Sequence, residues 1–132
     1  MNKIILKKIA ATVAVVFSLL TIVEGSQVLF GITQPDYYVL KPLLVYNIIM
    51  GFVGIAVGVI IWINLTKALR FTLLVAAAHL TVLFIVLIIY ISNSAVAAHS
   101  VNAMIIRSLI WFAVTITIWK TGKPEMLKSK NI

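Results

Sequence analysis

The chain has 132 residues, 63% hydrophobic and 11% charged, with no cysteine and a net charge of +8. So little polar surface cannot cover a soluble globule, and the composition describes one integral membrane domain in lipid. The basic residues are spread between apolar runs instead of sharing one water-facing patch, which excludes a nucleic-acid partner, and the lack of cysteine excludes disulfides, thiolate metal sites and cysteine nucleophiles.

Lys3, Lys7 and Lys8 form a basic leader. The apolar run over residues 9–30 follows, about 33 Å long as a helix, enough to cross the hydrocarbon core. A cleaved signal peptide is the competing reading of this start. Apolar residues resume at Val28, however, and Glu24 would be unusual just before a cut, so a retained first helix is expected. Its distinguishing stretch is Thr21-Ile22-Val23-Glu24-Gly25-Ser26-Gln27, a polar insertion with one carboxylate.

Residues 31–42 read as a connector, because Gly31, Pro35, Asp36 and Pro42 interrupt helices or favour turns. Tyr37, Tyr38 and Tyr46 suit a membrane-water boundary, where a ring is half buried and its hydroxyl stays wet. A second helix is expected over 43–63. On it Asn47, Gly51, Gly54 and Gly58 fall at i, i+4, i+7 and i+11, one face of small residues that lets another backbone approach closely. Two uses of this face are open: contact with a second copy or a larger membrane partner, or packing within the bundle, which is the plainer expectation.

Residues 64–70, with Lys67 and Arg70, read as a tight loop, followed by a third helix over 71–91 that carries His79. A polar connector over 92–100 ends in His99, a fourth helix over 101–119 carries Arg107, and residues 120–132 form a basic tail. Of the 11 Lys and Arg residues, nine lie in the leader, the 64–70 loop and the tail, all on one side of a four-pass chain. Because cytoplasmic loops carry the excess of Lys and Arg, that side is cytoplasmic. The expected fold is therefore an all-α, four-pass antiparallel transmembrane helix bundle with both termini cytoplasmic, in a prokaryotic plasma membrane.

An ionisable side chain inside a membrane span costs roughly 2.5 to 3.5 kcal/mol on insertion scales, so a retained one has a partner or a task. Two of opposite sign are present, Glu24 and Arg107. Counting 1.5 Å of rise per residue from each expected midpoint puts Glu24 roughly 7 Å, Arg107 about 4 Å and Asn47 about 9 Å to the outer side. In an up-down bundle these three can meet, with Gln27 beside Glu24 and with Tyr90 and Asn102 nearer the mouth. They are the candidate ligand-binding set for an unknown small solute, ion or lipid headgroup. A Glu-Arg clamp that only ties two helices is the competing reading, since desolvation offsets the attraction of a buried pair.

His79 and His99 fall at depths too different to share one iron, and no third metal ligand accompanies His79 and Glu24, so neither haem nor another metal cofactor is expected. His79 is expected as a hydrogen-bonded packing residue, with a proton relay as its functional alternative. The three glycines of the second helix lie inside a span and make no phosphate loop, and no nucleophile-base set is legible, so catalysis is the least expected class. The outline is similar to the small multidrug resistance transporters, where a first-helix glutamate couples protons to cation export, and Glu24 carries that likeness alone. The one-sided charge, the long 31–42 connector and Arg107, which repels cations, depart from that family. DoxX-like bacterial membrane proteins are similar in size and helix number, without a motif to match. The function expected is non-catalytic binding in an outward-facing polar pocket, related to transport; the alternative is a subunit or assembly factor that docks on a larger membrane partner through Gly51, Gly54 and Gly58.

Overall fold

A computed structural model describes residues 3–34, 39–93 and 98–130, with the backbone alone at 93 and 122–130. The described residues form four helices and no strand: α1 (Lys3–Leu29), α2 (Lys41–Ile63), α3 (Leu65–Asn93) and α4 (Ala98–Lys130). All four are long and apolar enough to cross a membrane. Their outward surface is apolar, with Phe52, Leu74, Ile88 and Leu109 each more than 60% exposed, the arrangement of a bundle whose solvent is hydrocarbon. Of the expected connector, the turn residues Pro35 and Asp36 and the interfacial candidates Tyr37 and Tyr38 lie outside the described residues.

The helix ends follow local chemistry. α1 stops because Gly31 takes φ +76°, a left-handed conformation that glycine adopts without Cβ strain. Its N–H then donates to Val28 O at 3.2 Å and that of Ile32 to Gln27 O at 2.8 Å, which closes two carbonyls the helix leaves open. Pro42 sits in the first turn of α2, where the N–H it lacks has no helical acceptor.

The expected 64–70 loop is a single residue. Asn64 ends α2 in extended backbone, φ −143°, and its Oδ1 accepts from the Lys67 N–H at 3.2 Å, the N-cap geometry that starts α3. No glycine or proline follows, and Leu65 and Ala68 are buried, so residues 65–70 are helix and not loop. The charges of Lys67 and Arg70 signal a membrane boundary, which need not coincide with a helix boundary. α1 likewise takes in the basic leader from Lys3, and α4 runs on through most of the expected tail, where Glu125, Met126, Leu127 and Lys128 are strong helix formers.

α1 packs most closely on α2 and α3 on α4, with α1 also against α4 and α2 against α3. Close approach of α1 and α2 is a matter of small residues on both sides. Ala11, Ala14, Ser18, Thr21 and Gly25 make the buried stripe of α1, and Gly51, Gly54 and Gly58 face it from α2. A methyl group added at Gly58 would lie 3.3 Å from the Ala11 carbonyl, and one at Gly51 would lie 3.1 Å from that of Ser18, so backbone meets backbone. The glycine face of α2 is thus filled by α1 of the same chain.

The core is in two parts. One joins all four helices through residues such as Ala14, Ile61, Ala68, Trp111 and Ile118. The other, Leu43, Val86, Val101 and Met104, draws on α2, α3 and α4 but not α1. Between them, by position along the helices, lie the buried polar residues Ser18, Asn47, His79 and Ser108. The threonines are satisfied locally: Thr21, Thr115 and Thr121 donate to the carbonyls of Phe17, Trp111 and Thr117 at 2.9, 2.7 and 2.7 Å. Such bonds to the preceding turn let a hydroxyl sit in an apolar bundle without a partner on another helix.

Candidate functional site

Where α1 is missing from the second core cluster, a cavity of about 130 Å³ opens instead. Its walls come from the C-terminal turns of α1 and the N-terminal turns of α2 and α4. Thr21 and Glu24 line it from α1, Asn47 from α2, and His99 and Arg107 from α4. Three of the candidate residues, Glu24, Asn47 and Arg107, therefore share one cavity. They do so because each sits about one to three turns from the helix end that borders the opening.

The three differ in exposure. Glu24 is exposed, Arg107 is half-buried and Asn47 is 8% exposed, so the carboxylate stands at the rim and the amide in the wall. Thr21, Asn47 and Arg107 also border a small gap deeper in the bundle, whose far side is Ser18, His79 and Trp111. Asn47 Oδ1 and Ser108 Oγ are buried without a hydrogen-bond partner among the described residues. A buried carbonyl oxygen without a donor is costly, so Asn47 is a place where a donor group would be welcome.

Gln27, Tyr90 and Asn102 do not line this cavity. Each is exposed on its helix. Gln27 contributes through its carbonyl, which closes the end of α1. Asn102 is five residues before Arg107, about 140° away around α4, and so belongs to another face. Tyr90 is 40% exposed on α3, a helix that supplies no residue to the cavity.

His79 is 3% exposed and held on two sides. The Tyr46 hydroxyl oxygen lies 3.3 Å from its Nδ1, and the rings meet edge to face with centroids 5.8 Å apart. On the other side Trp111 stacks on it at 6.3 Å with the planes 29° apart. Half-buried Tyr46 thus turns its hydroxyl into the bundle, where it meets α3. His79 sits at the midpoint of α3, which starts at Leu65 and not at 71, and it borders the same gap as Asn47 and Arg107.

Tyr46, Trp111 and Ser18 were not legible as part of a polar layer, although a signal existed. Trp111 follows Arg107 by four residues, and Ser18 precedes Thr21 by three, so each shares a helix face with a residue singled out for its polarity. Among the described residues no three His, Asp or Glu side chains converge as metal ligands would. The arrangement offers an acidic rim, a basic and amide wall, and an aromatic-backed imidazole behind it. Comparison with family models, with curated proteins and with solved structures finds no match for this chain.

Proposed function

We propose that the protein binds a small solute, ion or lipid headgroup in the cavity between α1, α2 and α4, in a role related to transport. The single observation that supports this is the convergence of Glu24, Asn47 and Arg107, three of the most costly side chains to keep in apolar spans, on one cavity. In this reading Glu24 holds a cation or a proton, Arg107 holds an anionic group, and Asn47 orients the ligand. His79 relays a proton behind them. The helices alternate in direction across a prokaryotic plasma membrane, with both termini cytoplasmic and the cavity open to the opposite side. Support for that orientation comes from the nine Lys and Arg residues gathered at the start of α1, the start of α3 and the C-terminal part of α4, which share one side of a four-pass chain. No catalytic step is assigned.

The test is thermal unfolding of the purified protein in detergent against ions, amines, organic anions and lipids, with Glu24→Gln alongside. A ligand that binds the folded state alone, at a hundred times its Kd, adds about 2.7 kcal/mol of stability. One compound class should stabilise the wild type and not Glu24→Gln. If no compound does, and both proteins melt alike, the cavity has no binding role.

A further inference from the structure

We propose that the groove between the N-terminal half of α1 and the C-terminal half of α2 holds one acyl chain of an anionic phospholipid, with the lipid phosphate on Lys8. The groove has a volume of about 430 Å³ and is separate from the polar cavity at the other end of α1, so it stands independently of the role proposed for that cavity. It is a by-product of the glycine seam. Ala11 and Gly58 meet there backbone to backbone and have too little side chain to fill the outer side of their own contact, so Val15, Val16, Val59 and Trp62 stand around a hollow. The Thr12 hydroxyl in its wall donates to the Lys8 carbonyl at 2.8 Å and is thereby satisfied, which leaves the lining apolar. Val16, Val59 and Trp62 are exposed on a bundle whose solvent is hydrocarbon, so the hollow opens to lipid.

One end of the groove selects the lipid by charge. Lys8 precedes Ala11, Thr12 and Val15 by three, four and seven residues, so it stands on the same face of α1 as the lining. Its ammonium lies over the Trp62 ring, 5.7 Å from the centroid. A ring face attracts the cation without cancelling its charge, and Lys3 and Lys7 add two more cations to the same helix end. Among the described residues no carboxylate lines the groove. From Lys8 to Val16 is about 12 Å along the helix, so a phosphate held at the ammonium sends its chain down the hollow into the hydrocarbon. A zwitterionic lipid brings the lysines no net charge to pair with. A second copy seated on this face about a twofold axis would set the three lysines against their own counterparts, since such an interface pairs a patch with itself.

The experiment reads Trp62 fluorescence in vesicles that contain phosphatidylglycerol or phosphatidylcholine with brominated chains, which quench a tryptophan they touch. Trp119→Phe removes the other exposed indole, and Trp111 is buried. Brominated phosphatidylglycerol, diluted into unbrominated phosphatidylcholine, should quench Trp62 at about a fivefold lower fraction than brominated phosphatidylcholine does, the worth of one basic side chain near an anionic lipid. Lys8→Gln should remove most of that preference and Lys8→Arg should keep it, whereas Lys67→Gln, which takes the same charge from the start of α3, should leave it unchanged. Val16→Phe, which narrows the groove at an exposed position, should weaken the preference with Lys8 in place. Equal quenching by the two lipids overturns the inference. So does a preference lost equally in Lys8→Gln and Lys67→Gln, which is a general surface-charge effect, and so does one that Val16→Phe leaves intact, because the chain then lies elsewhere. If neither lipid quenches Trp62, a second copy or another protein covers the groove and the lipid assignment falls.

Discussion

The hydroxyl of Tyr46 and the Nδ1 of His79 are joined across the α2–α3 contact at 3.3 Å, and behind the imidazole lies the face of Trp111 from α4. Three helices thus meet on one ring. Tyr46→Phe keeps the packing and removes the bond, so it should lower stability by about 1 kcal/mol, read as a modest fall in the unfolding midpoint in detergent. Trp111→Ala opens a void beside the imidazole and should cost about 3 kcal/mol or more. Equal losses from the two would show that the ring is not held by packing.

The α1–α2 seam should tolerate no side chain at Gly54. A Cβ built there meets the Ser18 side chain and comes within 3.0 Å of Trp111. Gly54→Ala should destabilise, and part of the loss should be recovered when Ser18 becomes alanine, since neighbours in contact couple by roughly 0.5 to 3 kcal/mol. Additive losses in that double-mutant cycle would mean the two positions do not touch.

Asn64 is the whole link between α2 and α3, and its side chain caps the second of them. Asn64→Ala should cost about 1 kcal/mol, and Asn64→Asp should restore most of it, because a carboxylate accepts the same N–H. Thermal unfolding of the three proteins decides the matter.

Orientation can be tested directly because the chain has no cysteine. A single cysteine at Thr33 should react with a membrane-impermeant maleimide in intact cells, and one at Lys67 only after permeabilisation. The reverse pattern would invert the cavity towards the cytoplasm.

Four apolar helices were legible because a membrane span is long and its signal accumulates over about 20 residues. The meeting of Glu24, Asn47 and Arg107 was also legible, since regular rise turns a residue number into a depth. Other features were hidden by signals with two meanings. Lys67 and Arg70 mark where polar surroundings begin, and a charged stretch looks like a loop whether or not the backbone stays helical. Tyr46 fits a lipid boundary as well as it fits a hydrogen bond to His79, and composition does not separate the two. The small stripe from Ala11 to Gly25 was missed because Glu24 drew attention within the same helix, although its spacing matches that of the α2 glycines.

The glycine seam has a mechanical consequence. Interlocked backbones make α1 and α2 a single stiff plate, so Glu24 and Asn47 keep a fixed spacing. Arg107 belongs to α4, which meets that plate through larger side chains. The two charges on the cavity wall thus belong to different parts of the bundle, Glu24 to the α1–α2 pair and Arg107 to α4, so the gap between them can change only if α4 shifts against that pair.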